Sequence, residues 1–206
     1  MRPVAAVEGR AVPLGRSDVD TDQIIPSEWL KRVERTGFGR GLFSEWRDDP
    51  GFVLNDARFQ GATILIAGPR FGIGSSREHA VWALLDYGFE AVVAPSFGDI
   101  FTSNAGLQGL VTVVLADDDV ADLAARVGAN PDLHVLVDVD RLVVELPGEG
   151  WTRGFGLDPF TRERLLNGWD EIGLTLRHEA DIDRYEASAS APRARRHFDE
   201  AGRLLT

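Results

Sequence analysis

Short apolar runs alternate along the chain with stretches in which apolar residues recur at helical spacing. The runs at residues 63–67, 91–94 and 110–115 predict buried strands, and the stretches at residues 78–87 and 97–107 predict the helices between them. Strands that alternate with helices in this way form successive βα units. The pattern therefore predicts an α/β protein.

Further elements are predicted on both sides of these units. They are an opening strand at residues 4–14, a short helix at 27–35, a helix at 117–127, strands at 134–139 and 141–146, and helices at 159–166 and 169–176. We find no internal repeat and no domain linker, so we expect one domain over residues 1–187. Residues 188–206 are rich in Ala and Arg and poor in core residues, which is typical of a poorly ordered or partner-dependent tail.

A glycine-rich loop joins the predicted strand at residues 63–67 to the predicted helix at residues 78–87. Gly72 and Gly74 permit positive φ angles and a close approach of the backbone. Ser75 and Ser76 are favoured helix-capping residues, and the neighbouring backbone N–H groups at a helix start are unpaired donors. The loop is therefore predicted to hold an anion.

Three known loop motifs do not fit this segment. A dinucleotide fingerprint needs glycine where Arg77 stands and an acidic residue about 20 positions further on. A phosphate-binding Walker loop and a hydrolase elbow need patterns that the segment lacks. A purely structural turn stays open, because glycine and serine often precede helices. Arg77 favours a functional loop, since a cation is unfavourable at the positive end of a helix dipole.

Composition and charge narrow the possible partners. The net charge of −11 argues against a general nucleic-acid or anionic-membrane surface, so an anionic substrate must be attracted by a local cluster of cations. No apolar run approaches the ~20 residues of a membrane span, and the N-terminus lacks a signal-peptide pattern. We expect a cytoplasmic protein.

The sequence contains no cysteine, which excludes disulfides, thiol nucleophiles and thiolate metal ligands from this chain. The four histidines are scattered without metal-ligand spacing, and we expect each of them to be structural or solvated. No metal ligand set is predicted.

The loop carries the sequence GSSREHA at residues 74–80, which resembles the signature of the swivelling domain of the aconitase superfamily. Other segments resemble the bacterial small subunits of 3-isopropylmalate dehydratase. These segments are DTDQIIP at 20–26, RTGFG at 35–39, AGPRFG at 67–72, DYGF at 86–89, SFGDIF at 96–101 and IGLTL at 172–176. The resemblance implies an aconitase-like swivelling β/β/α domain, with a mixed sheet flanked by helices.

The resemblance also implies a reaction and a partner. Small subunits of this family act with a large subunit in a hydro-lyase that isomerises 2-isopropylmalate to 3-isopropylmalate by dehydration and rehydration, in leucine biosynthesis. The substrate is a small di- or tricarboxylate, and Lewis acidity comes from a 4Fe-4S cluster. Because this chain has no cysteine, the cluster is expected on the large subunit and no cofactor is expected on this chain.

Within the loop, the resemblance implies roles for three residues. Ser75 is expected to be the base, as an alkoxide stabilised by the adjacent amides and by the charge of Arg77. Arg77 is also expected to grip a substrate carboxylate through its planar guanidinium, with Ser76 as a hydrogen-bond donor to that carboxylate. Glu78 and His79 are expected to hold the loop.

Two further segments carry candidate substrate-binding residues. Lys31 is the only lysine among 22 basic residues, and it shares a predicted helix face with Arg35. A solvated face would explain the pair equally simply, but the resemblance places both residues near the substrate carboxylates, and it places Asp22 at the edge of the active site. The acids of residues 18–22 resemble the start of a calcium loop, which would need Gly and Glu at positions 23 and 29, where Gln23 and Trp29 stand. We expect these acids to orient basic side chains or a turn.

Three alternative functions stay open. One is the small subunit of a related hydro-lyase, homoaconitase or methylmalate dehydratase, and another is a non-catalytic anion-binding module. The third is a scaffold that only stabilises its cluster-bearing partner. The number of heterodimers in the assembly does not follow from the sequence.

Overall fold

The computed structural model describes residues 1–31 and 36–188. Within these residues the strands are β1 (Ala6–Pro13), β2 (Ile64–Ile66), β3 (Ala91–Ala94), β4 (Val111–Val114), β5 (His134–Asp138), β6 (Val143–Leu146) and β7 (Trp151–Gly154). The α-helices are α1 (Thr21–Ile24), α2 (Ser44–Arg47), α3 (Glu78–Tyr87), α4 (Asp99–Gln108), α5 (Asp117–Ala129), α6 (Pro159–Asn167), α7 (Glu171–Leu176) and α8 (Glu179–Ser188). Short 3₁₀ helices cover Ser27–Lys31, Phe38–Arg40, Val53–Asn55 and Ala57–Phe59.

The described strands form one mixed sheet in the order β4-β3-β2-β1-β5-β6-β7. The four strands from β4 to β1 are parallel to one another, whereas β5, β6 and β7 each run antiparallel to the preceding neighbour. An isolated bridge between Val114, at the end of β4, and Gly156, just beyond β7, joins the two outer edges. The sheet is therefore curled, and the predicted mixed sheet flanked by helices is confirmed.

Strands β2 and β3 lie in the middle of the core, and every residue in them is buried. A strand that is covered on both faces needs a continuous apolar run, which explains why these two segments do not alternate. Helices α3 and α4 each bury apolar residues in this core, among them Ala80, Val81 and Leu84 of α3, which are fully buried. Helix α5 packs against β1, β2 and β3.

Several predicted boundaries differ from the structure. The strand predicted at residues 141–146 begins only at Val143, because the Arg141 N–H donates to the Asp138 carboxylate and Leu142 adopts a positive φ of 55° in the preceding turn. Strand β7 was not predicted, since Trp151–Gly154 is short and contains a single apolar residue. Helix α8 was not predicted either, and its first turn is acidic and its described residues are exposed.

The predicted helix at residues 27–35 is a 3₁₀ helix over Ser27–Lys31, and its remaining residues, 32–35, lie outside the described part of the chain. Of the predicted tail, only Ser188 is described, as the end of α8.

The chain divides into two compact units, Met1–Asp170 and Glu171–Thr206. The first unit contains the whole sheet, and the described part of the second consists of α7 and α8. The single domain expected over residues 1–187 stays a prediction. Among the described helices, none combines the length and the apolar character that a bilayer crossing requires.

Candidate active site

The glycine-rich segment between β2 and α3, residues 68–77, is here called the serine loop. Two neighbouring turns hold it. On one side, the Thr21 N–H donates to the Ile73 carbonyl at 3.0 Å, and the Gly72 N–H donates to the Val19 carbonyl at 2.7 Å. On the other side, the Gly98 N–H donates to the Phe71 carbonyl at 2.9 Å. The loop is thus fixed between the turn that follows β1 and the turn that precedes α4.

Glycine is required at two points of this arrangement. Gly72 has a φ of +73°, and a Cβ atom there would lie 2.4 Å from Cγ of Phe101. Gly98 approaches the loop so closely that a Cβ atom would lie 2.4 Å from the Gly72 carbonyl oxygen. Both contacts are too short for any side chain, so α4 packs directly on the loop backbone.

Ser75 and Ser76 are exposed at the tip of the loop. Their hydroxyls, and the N–H groups of Ser75, Ser76 and Arg77, have no hydrogen-bond partner in the described part of the chain. The prediction that the serines cap the helix is wrong, because Arg77 occupies the N-cap position of α3 with extended angles, φ −126° and ψ 99°, and no side chain caps this end. The N–H groups of residues 75–77 therefore remain free to bind an anion.

The Arg77 guanidinium forms an ion pair with the Asp22 carboxylate of α1. The Arg77 side chain is only 17% exposed, compared with 56% for Asp22, so the arginine is held against the protein with Asp22 at its outer side. The guanidinium is therefore largely shielded from solvent and paired with Asp22.

The acids of residues 18–22 act as structural partners, as expected. Asp18 forms an ion pair with Arg70, at the start of the serine loop. Asp20 is the N-cap of α1, where its carboxylate accepts from the Gln23 N–H at 2.8 Å while the Gln23 side chain accepts from the Asp20 N–H. With Asp22 on Arg77, the segment orients two basic side chains and one turn, and the prediction is confirmed.

Thr21 was not singled out from the sequence, although it lies in the matched segment DTDQIIP. The structure buries it to 2% exposure, and its hydroxyl donates to the Ser75 carbonyl at 3.1 Å. The feature of the sequence that could have identified Thr21 is its position between Asp20 and Asp22, in a segment that matches a family motif. Thr21 ties α1 directly to the residue predicted to be the base.

Lys31 is exposed at the end of the 3₁₀ helix Ser27–Lys31, whereas Arg35 lies outside the described residues. The shared face predicted for these two cations is therefore not tested. The chain resumes at Thr36, and the Gly39 N–H then donates to the Asp86 carboxylate at 2.8 Å. This bond attaches the turn after residue 36 to the C-terminal end of α3.

Glu78 and His79, in the first turn of α3, have structural partners. Glu78 accepts a hydrogen bond of 2.6 Å from the Gln108 side chain of α4. The His79 ring meets Phe38 edge to face at a centroid distance of 5.4 Å. These contacts attach the first turn of α3 to α4 and to Phe38, and the expected role of both residues in holding the loop stays a prediction.

The donor set of this chain does not fit an iron–sulfur cluster. Clusters of this kind are held by cysteine thiolates, and the sequence has no cysteine. Among the described residues, no group of three or more His, Asp or Glu side chains is placed to hold a metal ion.

Comparison with known proteins agrees with the resemblance. A family model described as the aconitase C-terminal domain matches residues 1–118, and one described as the C-terminal domain of 3-isopropylmalate dehydratase small subunits matches residues 171–192. A 3-isopropylmalate dehydratase small subunit of Parafrankia sp. is 64% identical over 87% of this chain and 91% of its own length. One of Rubrobacter xylanophilus is 59% identical over 91% of this chain and 95% of its own length.

A solved structure shows the same fold. The 3-isopropylmalate dehydratase chain from Methanocaldococcus jannaschii superposes with a TM-score of 0.66, over 87% of this chain and 99% of the other, at 24% identity. That likeness confirms the architecture, and the identities above establish the relationship. The chain belongs to the family of 3-isopropylmalate dehydratase small subunits.

Proposed function

We propose that this chain supplies the base and the carboxylate-binding groups for the interconversion of 2- and 3-isopropylmalate, in complex with a large subunit. The observation that carries the proposal is the exposed Ser75, which shares its loop with unpaired backbone N–H groups and with Arg77, two positions further along the chain. Subunits of this family belong to a hydro-lyase, and dehydration of isopropylmalate requires a group that removes a proton next to a carboxylate.

Ser75 is the proposed base. Serine is a weak base unless the negative charge on its oxygen is stabilised, and three features at the loop tip provide that stabilisation. They are the free N–H groups at the start of α3, the positive end of its dipole, and the charge of Arg77. In dehydration, the Ser75 oxygen takes the proton from the carbon next to a carboxylate. In rehydration, it returns that proton to the other carbon.

Arg77 and Ser76 are the proposed carboxylate ligands. The guanidinium carries five N–H donors, of which Asp22 engages Nη1, so donors remain for a substrate carboxylate. Asp22 has the same charge as the substrate, and its observed partner is Arg77. We therefore assign Asp22 to orienting Arg77 at the edge of the site. Ser76, exposed next to Ser75, would donate to the same carboxylate.

Lys31 and Arg35 complete the proposed set of cations. Lys31 is exposed at the end of the 3₁₀ helix Ser27–Lys31, and its compact ammonium is the proposed partner of a second substrate carboxylate. Arg35 is proposed on the resemblance alone. Because the chain carries a net charge of −11, these few cations are needed to attract an anionic substrate.

We propose that the 4Fe-4S cluster is bound by the large subunit, and that this chain binds no cofactor. The absence of cysteine supports this assignment. When bound, such a cluster supplies a Lewis acid for a hydroxyl group. Departure of the substrate hydroxyl is therefore not assigned to this chain. We further propose a cytoplasmic location.

The test is reconstitution of the purified chain with its large subunit, followed by assays on 2-isopropylmalate, homoaconitate and methylmalate. We expect turnover of 2-isopropylmalate by the wild type. We expect Ser75→Ala to assemble normally but to lose about 10²–10⁴-fold in kcat, the usual contribution of a general base. Equal turnover by wild type and Ser75→Ala would show that the chain acts as a scaffold, and preferred turnover of another substrate would reassign the enzyme.

A further inference from the structure

The contact between Thr21 and Ser75 concerns the peptide group that joins the two serines. The Thr21 hydroxyl donates to the Ser75 carbonyl at 3.1 Å, and that carbonyl belongs to the peptide plane whose N–H is the N–H of Ser76. In a planar trans peptide the C=O and N–H bonds point in opposite directions. Fixing the carbonyl toward α1 therefore directs the Ser76 N–H away from α1.

The position of Thr21 makes this hydrogen bond firm. Thr21 is 2% exposed, and its own N–H donates to the Ile73 carbonyl at 3.0 Å, so two bonds from one residue clamp the loop on either side of Gly74. Gly74 has a φ of +97° and could rotate readily if it were not held. A Cβ atom at Gly74 would lie only 3.5 Å from the Thr21 hydroxyl, which shows how closely the two segments meet.

We infer that Thr21 is a positioning residue for the reaction, acting through the Ser75–Ser76 peptide group. Its hydroxyl sets the direction of the Ser76 N–H, one of the free donors that stabilise negative charge on the Ser75 oxygen. The inference rests on the proposed role of Ser75. It assigns no contact between Thr21 and the substrate, so loss of the hydroxyl lowers kcat and leaves substrate binding in place.

The experiment compares four variants in complex with the large subunit. Thr21→Val and Thr21→Ala both remove the hydroxyl but leave side chains of different sizes, whereas Thr21→Ser keeps the hydroxyl. Thr112→Val is the matched control, because Thr112 is another buried threonine, at 5% exposure, and lies on β4, two strands away from β2, the strand that leads into the serine loop. Assembly, thermal stability, kcat and KM are measured for each variant, with Ser75→Ala alongside.

We expect Thr21→Val and Thr21→Ala to lower kcat by about 10- to 100-fold, since the donor is displaced and not removed, and a misplacement of about 1 Å can cost up to ~100-fold. KM should stay within about twofold, and Thr21→Ser should recover most of the kcat, because a positioning role depends on the hydroxyl. Thr112→Val should keep the wild-type kcat. The second hydroxyl-free variant preserves the test if the first does not fold.

Two results would overturn the inference. In the first, Thr21→Val and Thr21→Ala keep full kcat while Ser75→Ala is inactive, so the base assignment stands and Thr21 has no part in the reaction. In the second, Thr21→Ser fails to restore kcat, and activity follows thermal stability in every variant including Thr112→Val, so Thr21 is merely structural. An active Ser75→Ala variant would instead remove the proposed function, and the inference with it.

Discussion

The Gly39 N–H donates a hydrogen bond of 2.8 Å to the Asp86 carboxylate, and this bond attaches the turn that follows residue 36 to the C-terminal end of α3. The other end of α3 carries the serine loop. One helix of ten residues therefore connects the proposed base to the chain segment that continues from Lys31. Mutations at either end of α3 should affect the site in different ways.

At the C-terminal end of α3, Asp86→Ala leaves the buried Gly39 N–H without its acceptor. We expect a loss of about 1–3 kcal/mol in unfolding free energy, the cost of an unpaired buried donor. KM for isopropylmalate should rise more than kcat falls, because the displaced turn continues the Lys31 segment and not the serine loop. Urea unfolding and steady-state kinetics measure the two effects. Asp86→Asn retains an acceptor oxygen and should lie between Asp86→Ala and the wild type, and a kcat defect without a KM change would contradict this assignment.

Inside the serine loop, Gly72→Ala should be strongly destabilising. The new Cβ atom would meet the Phe101 ring at 2.4 Å, and the backbone would keep a positive φ of +73° that alanine disfavours. We expect a loss of about 1–3 kcal/mol from the backbone alone, and more from the clash. Gly128→Ala is the matched control, because it lies in α5 with nothing within 4 Å, and we expect it to stabilise the protein by about 0.5–1 kcal/mol. Thermal unfolding should give a lower midpoint than the wild type for Gly72→Ala and a higher one for Gly128→Ala. Equal midpoints for the two variants would show that the serine loop has room to rearrange.

Arg77→Lys tests whether the planar guanidinium is required. An ammonium can pair with Asp22 but cannot also offer a parallel pair of donors to a carboxylate, so we expect kcat/KM to fall by about 10-fold or more. Arg58→Lys is the control, since Arg58 pairs with Asp56 in an exposed ion pair that lies outside the proposed site. The assay is steady-state turnover by the reconstituted pair. If kcat and KM both keep their wild-type values in Arg77→Lys, Arg77 has only a structural role.

Acid should weaken the attachment of β7 to α5. The Asp122 carboxylate accepts hydrogen bonds from Arg126 and from the Trp151 indole, and these bonds lower the pKa of Asp122 below its usual range. A carboxyl group with a lowered pKa in the folded state stabilises the protein above the pKa of the unfolded state, and this contribution is lost as pH falls through the folded value. Thermal midpoints between pH 7 and pH 3 should therefore fall less steeply for Asp122→Asn than for the wild type. A wild-type slope in Asp122→Asn would contradict the prediction.

The elements that the sequence predicted well are those whose signal is local. The buried apolar runs of β2 and β3 and the helical spacing of α3 identified the central βα units, and the glycines at 72 and 74 identified the loop between them. Strand β7 was missed because its four residues are stabilised by pairing with β6 and by the contact of Trp151 with α5. Such contacts join residues that are distant in the chain, so no local sequence pattern predicts them.

The difference between local signals and long-range contacts also explains which parts of the site could be predicted. The loop and its arginine could be recognised from the motif, but the pairing of Arg77 with Asp22 joins residues 55 positions apart. The hydrogen bond from the Thr21 hydroxyl to the Ser75 carbonyl joins residues 54 positions apart. A helix cap was expected at the serines on residue preference alone, whereas Arg77, the residue that follows them, occupies the N-cap position.

The bridge between Val114 and Gly156 has a consequence for the protein before it meets its partner. Outer strands of an open sheet expose unpaired backbone groups that can recruit strands from other molecules and start aggregation. In this fold, the curl of the sheet brings the end of β4 against the segment beyond β7. The outer strands therefore expose a shorter stretch of unpaired backbone. A newly synthesised copy gains protection from self-association while it waits for the large subunit.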